Sequence, residues 1–76
     1  MNKERRKRID GLLVELGQIR DKVESVRDDE QDAYDNMGDG LQATDRGMVS
    51  EDAIDSLESA MDSLDEAIDS LTEALG

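Results

Sequence analysis

The sequence has no cysteine, no histidine, no phenylalanine and no tryptophan, and its one tyrosine is Tyr34. Each absence removes a class of protein. Without cysteine there is neither a disulfide framework nor a thiolate metal site to staple a small fold. Without histidine as well, the usual nucleophilic triads and dyads and histidine-bound metal centres are excluded. Without large aromatics, a bulky aromatic core cannot form. No apolar run reaches about 18 residues, and no apolar segment follows the basic start, so neither a membrane span nor a secretory leader is expected. The chain therefore reads as soluble and cytoplasmic. At 76 residues it is one domain at most, spanning 1–76. A hairpin of that size buries little on its own, and oligomerisation is the usual remedy.

Basic residues are also missing from the second half. From Gly47 to Gly76 there are nine acids and no lysine or arginine, within a net charge of −12. Five of the nine basic residues (Lys3, Arg5, Arg6, Lys7, Arg8) stand in the first eight positions. So acidic a surface is not expected to bind DNA or an anionic membrane, and is expected to attract basic protein surfaces.

What the chain has in abundance is a heptad. Residues 53–59, 60–66 and 67–73 read AIDSLES, AMDSLDE and AIDSLTE. Ile54, Met61 and Ile68 take position a, and Leu57, Leu64 and Leu71 position d, which is the seam of a coiled-coil helix. This predicts a helix over 51–75, with Ser50 as its N-cap and Glu51 and Asp52 in a first turn where the helix dipole favours negative charge.

The same 3-4 spacing runs through Ile9, Leu12, Leu16, Ile19, Val23 and Val26, then Ala33 and Met37, with Glu30 as a polar intruder at an a position. That predicts a helix over 3–37, capped by Asn2 and stopped by Gly38 and Gly40 in the left-handed conformation. Residues 38–50, with three glycines and no period, are expected to form a loop. The first helix would then outreach the second, at roughly 50 Å against 37 Å. The fold class is all-α, a helical hairpin expected to dimerise into an antiparallel four-helix bundle. Pairing the first helix with its copy, antiparallel about Arg20, would set Arg5, Arg6 and Arg8 beside Asp28, Asp29, Asp32 and Asp35. Exposed ion pairs contribute under about 1 kcal/mol each, so such a pattern selects orientation more than it stabilises.

Chemistry is scarce. Carboxylates on an exposed helix are ordinarily solvated, and nothing predicts an enzyme or a cofactor. Residues 35–40 (DNMGDG) resemble the start of an EF-hand loop. Aligning Gly40 with the loop glycine puts Met37 where a carboxylate is required and Arg46 where the bidentate glutamate belongs, so no metal site is expected. The run Arg5-Arg6-Lys7-Arg8 reads first as a neutraliser of acidic neighbouring helices. The segment 30–47 (EQDAYDNMGDGLQATDRG) stands out from the helical filler. Tyr34, Asn36 and Arg46 there form a candidate pocket or anchor at the bundle tip, tyrosine and arginine being the enriched anchor types. The plainer reading packs Tyr34 beside the seam, caps the helix with Asn36 and bridges Arg46 to Asp45 or Asp35.

Glu30-Gln31, Ala33-Tyr34-Asp35-Asn36-Met37, Leu41-Gln42, Arg46-Gly47 and the closing heptads together resemble a group of very small, acidic, helical proteins of bacteriophages and prophages. Those proteins usually carry a Pro-Glu pair after the methionine, where this chain has Gly38-Asp39. The resemblance implies a phage accessory protein and names no activity. Three functions follow as expectations. The first is a non-enzymatic protein that blocks a basic, nucleic-acid-binding surface of a host defence protein, as anti-CRISPR nucleic-acid mimics do, through Asp55, Glu58, Asp62, Asp65, Asp69 and Glu73. The second is an oligomeric sponge for an anionic nucleotide signal, using Arg5, Arg6 or Arg8 of one chain beside Tyr34 of another. The third is a coiled-coil assembly protein with no target but itself.

Overall fold

The Asn2 side chain accepts a hydrogen bond from the Arg5 backbone N–H at 2.8 Å and so opens the first helix. The computed structural model describes residues 1–76 and is all-α: α1 is Lys3–Asp35, α2 is Asp39–Gln42 and α3 is Asp45–Ala74. α1 and α3 pack antiparallel into a rod of 58 × 15 × 13 Å. Its radius of gyration is 17.3 Å, against roughly 11 Å for a compact domain of this length.

The expected loop over 38–50 is largely helix. α3 begins six residues before Glu51, capped at Thr44 rather than Ser50, and Gly38 is the N-cap of the single turn α2. The physical reason lies at Gly47. This residue is a packing glycine, not a helix breaker: a Cβ built there would stand 2.2 Å from the Gln42 carbonyl oxygen and 2.6 Å from the Gln42 Cα. Only glycine lets the backbone of α2 lie directly on the first turn of α3. The end of α1 differs too. The helix stops at Asp35 with Asn36 as its C-cap in the right-handed conformation, and neither Gly38 nor Gly40 takes a positive φ. With 33 and 30 residues, α1 and α3 measure roughly 50 and 45 Å, so the anticipated overhang nearly vanishes.

Within one chain the two apolar rows are buried unequally. On α3 the a positions Ile54 and Met61 are the best-buried apolar side chains, at 6% and 7% exposure, and Leu57, Leu64, Ile68 and Leu71 are half-buried. On α1 the a positions Ile9, Leu16 and Val23 are half-buried, but the d positions Leu12, Ile19 and Val26 are 47%, 47% and 54% exposed. The residues one further along, Leu13, Arg20, Arg27 and Tyr34, turn toward α3 instead. From Gly47 onward α3 has nine acids and no cation. Rotating α1 by this amount brings its two mid-helix arginines to those acids while their aliphatic stems cover the apolar seam.

Candidate functional site

A polar ladder fixes the register. Arg20 donates to Asp65 at 3.0 Å and Arg27 to Glu58 at 3.3 Å, and the Tyr34 hydroxyl donates to Glu51. Each seven-residue step along α1 is matched by a seven-residue step back along α3, so these three pairs form one row at heptad spacing on one edge of the hairpin. Arg20 also pairs with Glu24, and Arg27 with Asp28 at 2.8 Å, each within α1. At the two ends, Arg6 donates to the Leu75 carbonyl at 2.6 Å and the Gln42 amide donates to the Tyr34 carbonyl at 3.0 Å. The polar intruder Glu30 is answered across the interface: Ser50, only 3% exposed, donates its hydroxyl to the Glu30 carboxylate at 2.6 Å.

The electrostatics follow these contacts. The hydrogen bond to Asp65, and then the one to Glu24, raises Arg20 above its ordinary value. The contact with Asp28 does the same for Arg27. Tyr34 is held above the usual phenol value first by its hydrogen bond to Glu51, then by partial desolvation and by the charges of Glu51 and Asp35, because each disfavours the phenolate.

With the ladder in place, the acidic face of α3 divides. Of the six acids singled out from sequence, Glu58 and Asp65 are committed to the arginines of α1. Asp55, Asp62, Asp69 and Glu73 are exposed and take part in no ion pair within 4 Å. Two more exposed, unpaired acids, Asp52 and Glu66, join them on the same side of the helix. Their signal was in the sequence: steps of three, seven, four, three and four from Asp52 through Glu73 trace one helical face. Only Ser59 interrupts that row. The result is six carboxylates over a rise of roughly 32 Å, about half the axial charge density of one strand of B-DNA.

The other candidates are dispersed. Arg5 and Arg8, with Met1, Ile9 and Leu12, line a shallow concavity of about 240 Å³ at the start of α1. Tyr34 lies roughly 39 Å farther along the same helix, so one chain does not bring the arginines and the ring together. A second concavity, of about 310 Å³, is lined by Arg27, Glu58, Met61 and Asp62, and neither hollow lies at the tip. Arg46 is exposed in the first turn of α3 and bridges neither Asp45 nor Asp35. Asn36 serves as the C-cap of α1, its backbone N–H bonded to the Asp32 carbonyl. No helix is long and apolar enough to cross a membrane.

Fold and surface together define an elongated helical hairpin, zipped by a polar ladder along one edge and acidic along the outer side of α3. Comparison with protein-family models, with curated proteins and with solved structures finds no match.

Proposed function

We infer that the chain is a non-enzymatic interaction protein that occupies a basic, nucleic-acid-binding surface of another protein, with the outer face of α3 standing in for a phosphate backbone. The observation that carries this reading is the row Asp52, Asp55, Asp62, Glu66, Asp69 and Glu73, which no cation of the chain neutralises. Rigid spacing on a helix makes such charges a template, whereas charges on a flexible tail would have to be ordered on binding. In the phage setting that the resemblance implies, the partner is a bacterial host-defence protein and the compartment is the host cytoplasm. The chain acts as a homodimer, an antiparallel four-helix bundle.

The test is competition. Purified DNA-binding nucleases of bacterial defence systems are loaded with labelled duplex DNA, and the protein is added at increasing salt. Displacement that weakens steeply with salt is expected. The triple variant Asp62→Lys, Glu66→Lys, Asp69→Lys should lose displacement while keeping its helix content. A triple variant that displaces DNA as well as the wild type would refute the role of this face.

A further inference from the structure

The edge of the hairpin away from the polar ladder is unpartnered. On α1 it carries Leu12, Ile19 and Val26, the apolar row that the rotation of this helix leaves outside. On α3 the alanines at 60, 67 and 74 are exposed on the same side, where small side chains let another helix approach closely. The single chain is short of buried surface: only Ile54 and Met61 form its buried apolar core. It exposes 5554 Å², against roughly 4,600 Å² for a compact monomer of its 8.4 kDa mass. The excess, on the order of 900 Å², is close to the ~800 Å² that each partner contributes to a standard interface.

The charges beside the stripe say what covers it. Arg8, Glu15, Lys22 and Asp29 follow at steps of seven along its flank, alternate in sign, are all exposed and join no ion pair within the chain. An antiparallel copy of α1 sets Arg8 against Asp29 and Glu15 against Lys22, twice each, and every pair is of opposite sign. A parallel copy in register sets like against like. The apolar row is centred within half a residue of the charged one, about 0.75 Å of helix rise: Leu12 and Val26 are equidistant from Ile19 and exchange places under a two-fold rotation there. An isologous contact needs this self-complementarity, and nothing within the hairpin requires it.

We propose that two chains associate through this edge, their α1 helices antiparallel and crossing at Ile19, to complete a four-helix bundle. This rests on reading the chain as a homodimer, and is independent of what the acidic face binds. It assigns the interface to one face and one orientation.

Sedimentation of the wild type at micromolar concentration should give a dimer. Because the chain has no cysteine, single cysteines report the geometry. Ile19→Cys should form a disulfide-linked dimer rapidly on mild oxidation, since the two-fold axis brings position 19 onto its copy within disulfide reach. Val14→Cys, 62% exposed on the far side of α1, should not. Glu15→Lys and Lys22→Glu each create two like-charge contacts and should weaken self-association about tenfold. An equimolar mixture of those two variants, in which every opposed pair again has opposite sign, should recover it as a heterodimer. A monomeric wild type would overturn both the dimer and this interface. A dimer that cross-links equally through position 14, or charge variants that do not rescue each other, would overturn the assigned face and leave the dimer standing.

Discussion

Replacing Gly47 by alanine separates packing from propensity more sharply than any other change in this chain. Gly11, Gly17 and Gly47 all lie inside long helices. By propensity alone each should gain up to about 1 kcal/mol on conversion to alanine. At Gly11 and Gly17 a Cβ meets nothing within 4 Å, and that gain should be realised. At Gly47 the new Cβ would lie 2.2 Å from a backbone oxygen and 2.6 Å from two backbone carbons of Gln42. Ordinary contact needs about 3.5 Å, so α2 must retreat by more than about 1 Å.

That retreat is resisted from two sides. Gln42 is tied through its amide to the Tyr34 carbonyl, and Thr44 accepts the Met48 backbone N–H immediately below. Overpacking of this kind costs about 1–3 kcal/mol, which offsets the propensity gain and leaves a net loss of up to about 2 kcal/mol. For a domain of this size that lowers Tm by up to roughly 15 °C, whereas Gly11→Ala should raise it by several degrees. The assay is thermal unfolding followed by circular dichroism, with protomer concentration held equal because association contributes to apparent stability. A Gly47→Ala protein that gains as much as Gly11→Ala would show that α2 does not rest on α3 as described.

Two further outcomes follow from the polar contacts. Ser50→Ala should cost about 1–2 kcal/mol, because it leaves the half-buried Glu30 carboxylate without its donor, and pairing it with Glu30→Leu should recover the loss or exceed it; urea unfolding of both proteins checks this. Tyr34 should titrate above its value in denaturant, near 10. A neutral phenol is the donor to Glu51, so the contribution of this contact is fully present below the unfolded pKa and is lost as pH rises through the higher folded one. With one tyrosine and no tryptophan, phenolate absorbance reads the shift directly, and Glu51→Gln should bring it down toward the denatured value.

The sequence carried the helices and the a rows of both, because repeated Ile, Met and Leu at seven-residue spacing admit few other readings. It did not settle which side of α1 faces α3 within one chain. Leu12, Ile19 and Val26 are more apolar than Leu13, Arg20, Arg27 and Tyr34, so periodicity alone selects the former. The deciding quantity belongs to the other helix: α3 brings Glu51, Glu58 and Asp65 to the interface and has no cation beyond Arg46 in its first turn. Gly47 misled for a related reason. A glycine reads as a breaker unless the backbone that it accommodates is known, and Gln42 of α2 is brought there only by the fold. The acidic face was legible as a composition, but which acids remain free depends on the ladder. It withdraws Glu58 and Asp65 and leaves Asp52 and Glu66 in their place.

The polar ladder, the acidic face and the proposed self-association make opposite demands on charge, and the geometry reconciles them. The mid-helix arginines Arg20 and Arg27 are consumed on one edge, where they set the register of α1 on α3. The unpaired acids stand on the outer side of α3, turned away from the edge that carries Leu12, Ile19 and Val26. A chain of net charge −12 should resist meeting its own copy, yet the repulsion arises mainly from acids across a hairpin 13–15 Å thick. The Debye length at physiological ionic strength is ~8 Å, so those charges are largely screened from the opposed chain. The alternating row Arg8, Glu15, Lys22 and Asp29 would meet its partner within a few ångströms, where screening is weakest. Association would therefore leave both acidic faces outward and free, and a dimer would present two such faces to a basic partner, raising avidity without any new contact.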